Sequence, residues 1–473
     1  MLEADRPSEP EAPLIRVEPP GPRSAALLGR ARARLWGELS YESMPFVLAR
    51  KWGSVLEDVD GNRYIDMVTG WGSTNVGACH PDVVEPVVDA LRAYGVEITD
   101  YVCSEPAVAL AEKLAEIAPG GLSRVVPEIS GTESVETAIK FMRVRTGRPL
   151  ILTFLGQYHG ETQAALAVGS QEPEGSRYVR ESVGGYIHVP YPHPYRCPFH
   201  RDPRACDGVC VIDYVREQVL RYLTPPDRIA GVMIEPVAGE AGVLIPPAPF
   251  WEALTALCRE HGWLLCADEV QTGFGRTGRM FGVEHWGVEP DLMCLAKGLS
   301  GGVMPIGATL GTEAVMGELH AYAGGTFAWT PPACVAALRG IEVIEREGLL
   351  ERAVEAGTGR PRGPRPPRRS VRARRRRADQ GRSTSPSSSS RSASARPRRW
   401  TSPGGCTRRA SGAASPTSTT TACGWCGGSP PSRCPRRCCG RRAPSSRRPW
   451  PRSAEGGERW GRTSRGRPGS WRG

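Results

Sequence analysis

GWLLCADEVQTGFGRTGRMFGVEHWGVEPDLMCLAKGLSGG, residues Gly262 to Gly302, decides the fold. It holds two apolar runs, each closed by a charged residue. Trp263-Leu264-Leu265-Cys266-Ala267 ends at Asp268, and Leu292-Met293-Cys294-Leu295-Ala296 ends at Lys297. Runs of this length, apolar throughout and bounded by Gly and Pro, suit parallel strands buried on both faces. Ligands of open α/β sheets sit outside the carboxyl ends of such strands. Asp268 and Lys297 are therefore expected to project into one site.

An acid and a lysine so placed fit the needs of one cofactor, pyridoxal 5′-phosphate. It forms a Schiff base with a lysine amine, and its ring nitrogen takes a carboxylate partner. The carboxylate keeps that nitrogen protonated, because a nearby opposite charge favours the charged form. Spacing alone leaves a plain buried Asp–Lys ion pair as the alternative.

The run DEVQTGFGRTGRMFGVEHWGVEPDLMCLAKGLSGG resembles the class III (ω-type) aminotransferases of pyridoxal-phosphate fold type I, the family of the 4-aminobutyrate, acetylornithine and ornithine aminotransferases. The resemblance implies an α/β fold: a large domain with a mostly parallel seven-stranded sheet flanked by helices, and a small domain. It implies that Lys297 is the Schiff-base lysine and Asp268 the partner of the pyridine nitrogen. Val270 would pack on one ring face, and Gln271 would bond the phenolic oxygen.

The length of 473 residues allows two domains. The overall charge of +11 hides a division. Residues 358–473 hold 30 Arg, no Lys and 3 acids, whereas 1–357 hold 31 basic and 47 acidic residues. The first thirteen residues, MLEADRPSEPEAP, are acidic and Pro-rich, unlike a signal peptide. No apolar run approaches the ~18 residues of a membrane helix. A soluble cytoplasmic protein is expected. Nine of the 15 Cys lie in the body, where scattered cysteines of a cytosolic protein read as small buried hydrophobes.

Residues 1–21 read as disordered, and Ala25 to Leu39 as a short helix. Leu56 to Asp66 reads as a hairpin about an Asp-Gly-Asn turn. Trp71 falls where the family places an apolar substrate-pocket residue; an aromatic packed in the core is the other reading. Asp82 to Tyr94 and Ala107 to Ile117 carry helical patterns. Val125-Val126 reads as a strand leading into Ser130-Gly131-Thr132, with a helix starting at Glu133 or Ser134. Val135, Ala138, Ile139 and Met142 would form its buried face. A small hydroxyl-bearing loop at a helix N-terminus suits an anion. SGT is also simply a good N-cap. With Lys297 present it reads as the cofactor's phosphate cradle, as the family pattern implies.

Leu150 to Phe154 reads as a strand, followed by Gly156-Gln157-Tyr158-His159-Gly160. The resemblance puts Tyr158 over the cofactor ring and His159 beside it, although His159 suits a structural role equally. The 4-aminobutyrate enzymes carry an Arg after this Tyr-His-Gly; here stands Glu161, which argues against 4-aminobutyrate as substrate. PYPHPYRCPFHRDPRACDGVC follows. Its Cys197, His200, Cys206 and Cys210 fit no standard zinc finger, so a surface loop without metal is expected. Ile229 to Ile234 reads as a buried strand ending at Glu235-Pro236-Val237-Ala238-Gly239-Glu240. The family implies that Glu235 lies near the cofactor and lysine. It implies that Glu240 is a gateway residue, pairing with a C-terminal Arg until a substrate carboxylate arrives. Ala238 replaces the family's usual Gln. Gly324-Gly325-Thr326-Phe327 matches the segment whose Thr reaches the phosphate of a neighbouring subunit, which implies a homodimer with shared sites. Pro332 to Glu347 reads as an amphipathic helix.

After Gly357 the composition changes abruptly. Residues 358–473 contain no Leu, Ile, Met, Phe or Tyr and one Val, so no core can form there. One reading is a natural disordered tail that binds nucleic acid non-specifically through phosphates. The favoured reading is a shift of reading frame near codon 357. A GC-rich gene read out of frame yields this Arg, Pro, Ser, Gly, Ala, Cys and Trp mixture. The chain thus divides into a disordered N-terminus (1–21), the first part of a small domain (22–70), a large cofactor domain (71–330), a linker helix (331–357) and the basic tail (358–473).

The implied activity moves an amino group from an amine or ω-amino acid to a 2-oxo acid, with Lys297 as general base. As written, the chain is expected to be unstable and poorly active, because the Arg that should pair with Glu240 is missing. An aminomutase, decarboxylating transaminase or phospho-lyase would share the same residues. A nucleic-acid-binding protein acting through its tail is the reading from another class; the net −16 of the body argues against the body taking part.

Overall fold

The computed structural model describes residues 10–35, 44–99, 101–171, 173–200, 202–318 and 323–358. The expectations for residues 359–473 lie outside the described residues, as does the end of the first predicted helix, which is seen over Pro22–Arg32.

The N-terminal part forms a three-stranded antiparallel sheet of β1 (Leu48–Trp52), β2 (Val55–Asp58) and β3 (Arg63–Ile65). The predicted hairpin is β2–β3. The Asp58 carboxylate organises its turn, accepting from the Asp60 and Asn62 amides, Asn62 Nδ2 and Tyr64 Oη at 2.7–2.9 Å. Residues 10–21 were expected to be disordered, and the structure corrects this. Leu14 bridges Arg63, and Asn62 Oδ1 accepts from the Arg16 and Val17 amides. Backbone groups so satisfied hold the segment against the sheet.

The second sheet has seven strands in the order β4-β10-β9-β8-β7-β5-β6. They are β4 (Leu122–Glu128), β5 (Leu150–Phe154), β6 (Tyr186–Val189), β7 (Ile229–Ile234), β8 (Leu264–Asp268), β9 (Leu292–Leu295) and β10 (Gly307–Thr312). The neighbours from β6 to β9 pair in parallel. Only β10 is reversed, antiparallel to both β9 and β4. β4 therefore runs the same way as the other five, and six carboxyl ends share one edge. β7 and β9 are buried at every residue, as their unbroken apolar runs require. β6, at the edge, carries no such run and went unpredicted.

The helix after β4 spans Gly131–Thr146 and buries Val135, Ala138, Ile139 and Met142. It starts earlier than expected because Ser130 caps it. Glu133 N donates to Ser130 Oγ, while the Glu133 carboxylate accepts from Ser130 N. This reciprocal pair satisfies two orphan donors of the first turn. The helix Pro331–Arg346 buries Cys334, Ala337, Ile341 and Ile344 and packs on the helices Pro81–Tyr94 and Glu105–Ile117. No helix among the described residues is long and apolar enough to cross a membrane.

Candidate active site

Six carboxyl ends at one edge bring distant segments together. Ser130-Gly131-Thr132 follow β4, Gln157 to Glu161 follow β5, and Glu235 to Glu240 follow β7. Asp268 closes β8, and Lys297 follows β9. The reversed β10 enters the same edge through Pro305 and Ile306. These segments line a cavity of about 630 Å³. Ser130, Gly131, Thr132, Tyr158, His159, Glu235, Glu240, Asp268, Val270, Gln271 and Lys297 all face it. Thr326 does not; it lies in an exposed turn. Trp71 is not in the core either, being 57% exposed. It lines an adjoining cavity of about 800 Å³ that shares Glu240 and Gln271 with the first.

Asp268 is buried and held on both oxygens. His159 Nδ1 lies 2.6 Å from Oδ2, and Val270 N donates to Oδ1 at 3.1 Å. A carboxylate only accepts, which assigns the shared proton to Nδ1. His159 Nε2 is buried and has no hydrogen-bond partner among the described residues. His159 is thus a positioning group for Asp268 rather than an unrelated core histidine.

Lys297 is the lysine of the cavity. Its backbone is left-handed, with φ 41°, a conformation that costs a non-glycine residue about 1–3 kcal/mol and clusters at functional sites. Burial pulls its ammonium below the ordinary value, against the opposing attraction of Asp268, Glu235 and Glu240. A larger share of neutral amine follows, as a nucleophile or base requires.

Glu235 ties two loops together, accepting from Tyr158 N and Gly239 N at 2.9 Å each. Burial pushes its carboxyl up to about 7, aided by Asp268 and opposed by His159. Glu269, next to Asp268, accepts from Thr272 Oγ1, Gly282 N and Val283 N. It braces the turn that carries Val270 and Gln271. Tyr158 Oη donates to Glu161 at 3.2 Å, so the acid standing in place of the 4-aminobutyrate enzymes' Arg faces the cavity.

Two residues of the site went unnoticed in the sequence. Gln157 is fully buried, with Nε2 reaching the Glu235 carbonyl at 3.4 Å. Arg276 lines the Trp71 cavity and donates to Asn75 Oδ1 at 2.5 Å and Thr69 Oγ1 at 3.3 Å. Both acceptors are neutral, and among the described residues no carboxylate forms an ion pair with it. A lone cation inside the glycine-bounded turn Gly275-Arg276-Thr277-Gly278 was the available signal.

The family model of aminotransferase class-III matches residues 37–359. The chain belongs to the class-III aminotransferases. It is 36% identical over 351 residues to an alanine/serine racemase of Pyrococcus horikoshii, covering 73% of this chain and 74% of that one. Identity is 38% over 351 residues to the 4-aminobutyrate aminotransferase of Mycobacterium tuberculosis, with coverage of 71% and 76%. Among solved structures, an amine transaminase from an uncultivated Pseudomonas species, in its pyridoxal-phosphate-bound form, superposes with a TM-score of 0.63. It is 32% identical, with 69% of this chain and 78% of that chain covered.

Class-III aminotransferases use pyridoxal phosphate, and the residues of this cavity fit it. Gly131 opens the first turn of its helix, whose N–H groups have no acceptor within the helix. A Cβ there would stand 2.9 Å from both Val270 methyls, so glycine keeps the space between helix and ring-face residue open. Each Asp268 oxygen keeps a lone pair for a ring N–H. A lysine with a depressed pKa stands opposite. Ser130 serves as N-cap, the plain reading of SGT, and lines the cavity as well.

Proposed function

We propose that this class-III aminotransferase moves an amino group from an amine or ω-amino acid to a 2-oxo acid. The observation that carries the reading is the convergence of Lys297, His159-braced Asp268 and the Ser130–Thr132 helix terminus on one cavity. When bound, pyridoxal phosphate supplies an electron sink that lets a substrate C–H bond ionise. The rest falls to the chain. Gly131 and Thr132 N–H groups would hold the phosphate, and the Asp268 carboxylate the ring nitrogen. Val270 and Tyr158 would pack on the ring, and Gln271 would meet its oxygen. Lys297 Nζ, its pKa lowered by burial, would anchor the cofactor at rest and, once freed, hold the substrate's proton.

The adjoining cavity would receive the rest of the substrate. Trp71 offers it an apolar wall, and Arg276 offers a cation to a carboxylate. Glu161 stands where the 4-aminobutyrate enzymes carry an Arg and cannot grip that substrate's carboxylate, and with Glu240 it would repel an acid, which supports amines over acidic donors. Thr326, exposed and outside its own cavity, supports a homodimer in which it reaches a neighbour's site.

We also infer a frame shift near codon 357. The family match ends at residue 359, beside the break in composition. Resequencing codons 345–370 tests it; a frame confirmed as written would refute it.

The function is tested by adding pyridoxal phosphate to the full chain, reducing with borohydride and locating the cofactor mass by peptide mass spectrometry. It should lie on Lys297 and vanish in Lys297→Ala. Amine panels with a 2-oxo acid should yield the matching amino acid. Loss of handedness in an amino acid, with no oxo acid consumed, would instead place the chain beside its racemase relative.

A further inference from the structure

The crossover between β6 and the helix Val209–Tyr214 carries four potential ligands at the spacing Cys-x2-His-x5-Cys-x3-Cys. As a sequence this matches no common finger and reads as a plain loop. In the structure one ligand atom from each of Cys197, His200, Cys206 and Cys210 lies within 4.8 Å of all the others. Cys197 Sγ and Cys210 Sγ are 3.6 Å apart, and Cys206 Sγ and Cys210 Sγ 3.8 Å. A tetrahedral zinc with Zn–S bonds of ~2.3 Å has S···S edges of about 3.8 Å. The observed separations match that edge, whereas a disulfide would need ~2.0 Å.

The loop is built to hold this arrangement. Phe199 N donates to Cys197 Sγ at 3.4 Å, which fixes the place of that sulfur. Asp202 turns the chain by accepting from Arg204 N, and Asp207 does so by accepting from Val209 N. Cys206 is buried, and the other three are half-buried except for His200, which is exposed. We propose that Cys197, His200, Cys206 and Cys210 bind one zinc ion. Four protein ligands leave no open position, so the site is structural, and none of the four lines the catalytic cavity. Binding is redox-neutral: zinc displaces three thiol protons to solvent.

The ion would fasten the crossover to the large domain. Cys210 and Tyr214 pack on the core, and the Phe199 ring lies 5.4 Å from that of Tyr214. Just upstream, Tyr191 Oη donates to the Glu235 and Pro236 carbonyls at 3.1 and 3.3 Å. The segment that leads into the zinc loop thereby supports the turn carrying Glu235.

The test is metal analysis of the full chain, purified from zinc-supplemented cells under reducing conditions. The six cysteines of the tail, Cys406, Cys423, Cys426, Cys434, Cys438 and Cys439, are changed to Ser in a parallel full-length variant so that they cannot contribute. About one zinc per chain is expected in that variant, falling to near zero with Cys206→Ser added. Cobalt exchanged for zinc should show thiolate charge-transfer absorption and tetrahedral d–d bands. His200→Cys should keep the metal and shift those d–d bands, a readout that misfolding would not give. The proposal is overturned by a metal-free variant that fails to take up zinc or cobalt. It is equally overturned by zinc retained in Cys206→Ser, or by a Cys197–Cys210 disulfide in the reduced preparation.

Discussion

Gly239→Ala tests the Gln271 assignment with little disturbance elsewhere. An alanine Cβ at 239 would stand 1.4 Å from Gln271 Oε1. A carbon–oxygen contact needs roughly twice that distance, so the carboxamide must swing aside by about 2 Å. The backbone at Gly239 is not left-handed, so alanine itself is tolerated. Loss of unfolded-state freedom contributes about 0.4–1 kcal/mol in favour of the fold. Gly239 N keeps its bond to Glu235 Oε2. Stability should therefore change little. A displaced Gln271 removes one neutral hydrogen bond to the cofactor, worth about 0.5–1.5 kcal/mol. The dissociation constant for pyridoxal phosphate should rise about 2- to 12-fold. Spectrophotometric titration reads the affinity, and thermal unfolding without cofactor checks the fold. Gln271→Ala should give a similar loss, and the double variant no more than either alone. Unchanged affinity in Gly239→Ala, or additive losses in the double variant, would refute the reasoning.

Three further outcomes follow from burial and close approach. Glu128 and Glu269, like Glu235, are pushed up to about 7 by burial. Folded carboxyls with raised pKa values bind more protons than unfolded ones, so their contribution is full below pH ~4.5 and is lost as pH rises through about 7. Glu128→Gln should flatten the fall in stability between pH 5 and 8, by at most about 3 kcal/mol, in urea melts at the two pH values. Gly301 has φ +58° and no room, since a Cβ would lie 2.6 Å from the Ala336 carbonyl oxygen. Gly301→Ala should cost about 2–4 kcal/mol, read as a lower denaturation midpoint. Arg276→Ala should raise KM for the 2-oxo acid about 10- to 100-fold while changing kcat less, seen in steady-state kinetics.

The large sheet was legible because its strands are buried on both faces. β7, β8 and β9 each read as an apolar run with one charged residue at the end, and those residues, Glu235, Asp268 and Lys297, line the cavity. Ser130 was legible twice over, as cap and as cavity wall, because both uses call for a small hydroxyl at a helix start. The partner of His159 was not legible. Asp268 lies 109 residues away, and no local pattern encodes the neighbour order of β5, β7 and β8. Segment 10–21 was misread because its Pro-rich composition hides a contact with Asn62, forty-five residues on. The gathering of Cys197, His200, Cys206 and Cys210 was not legible, because spacing along the chain says little about side chains brought together by Asx turns and short helical turns.

The site has two ends that rest on different parts of the molecule. Every group expected to touch the cofactor within its own protomer is carried on a strand end or helix start of the seven-stranded sheet. Packing, paired strands and buried hydrogen bonds hold that end. The proposed substrate end is different: Trp71 and Met67 are 57% and 73% exposed, and Val243 and Ile245 are 67% and 63% exposed. Four large apolar side chains around one cavity mouth are too many to leave in water without a covering surface. A complete small domain or a second subunit would supply one. Under the proposed frame shift, loss of that cover would weaken selection of the amino donor before it weakens grip on the cofactor. Cofactor affinity and turnover should therefore respond separately, the first to changes in the sheet and the second to changes at the cavity mouth, when titration and steady-state kinetics are compared.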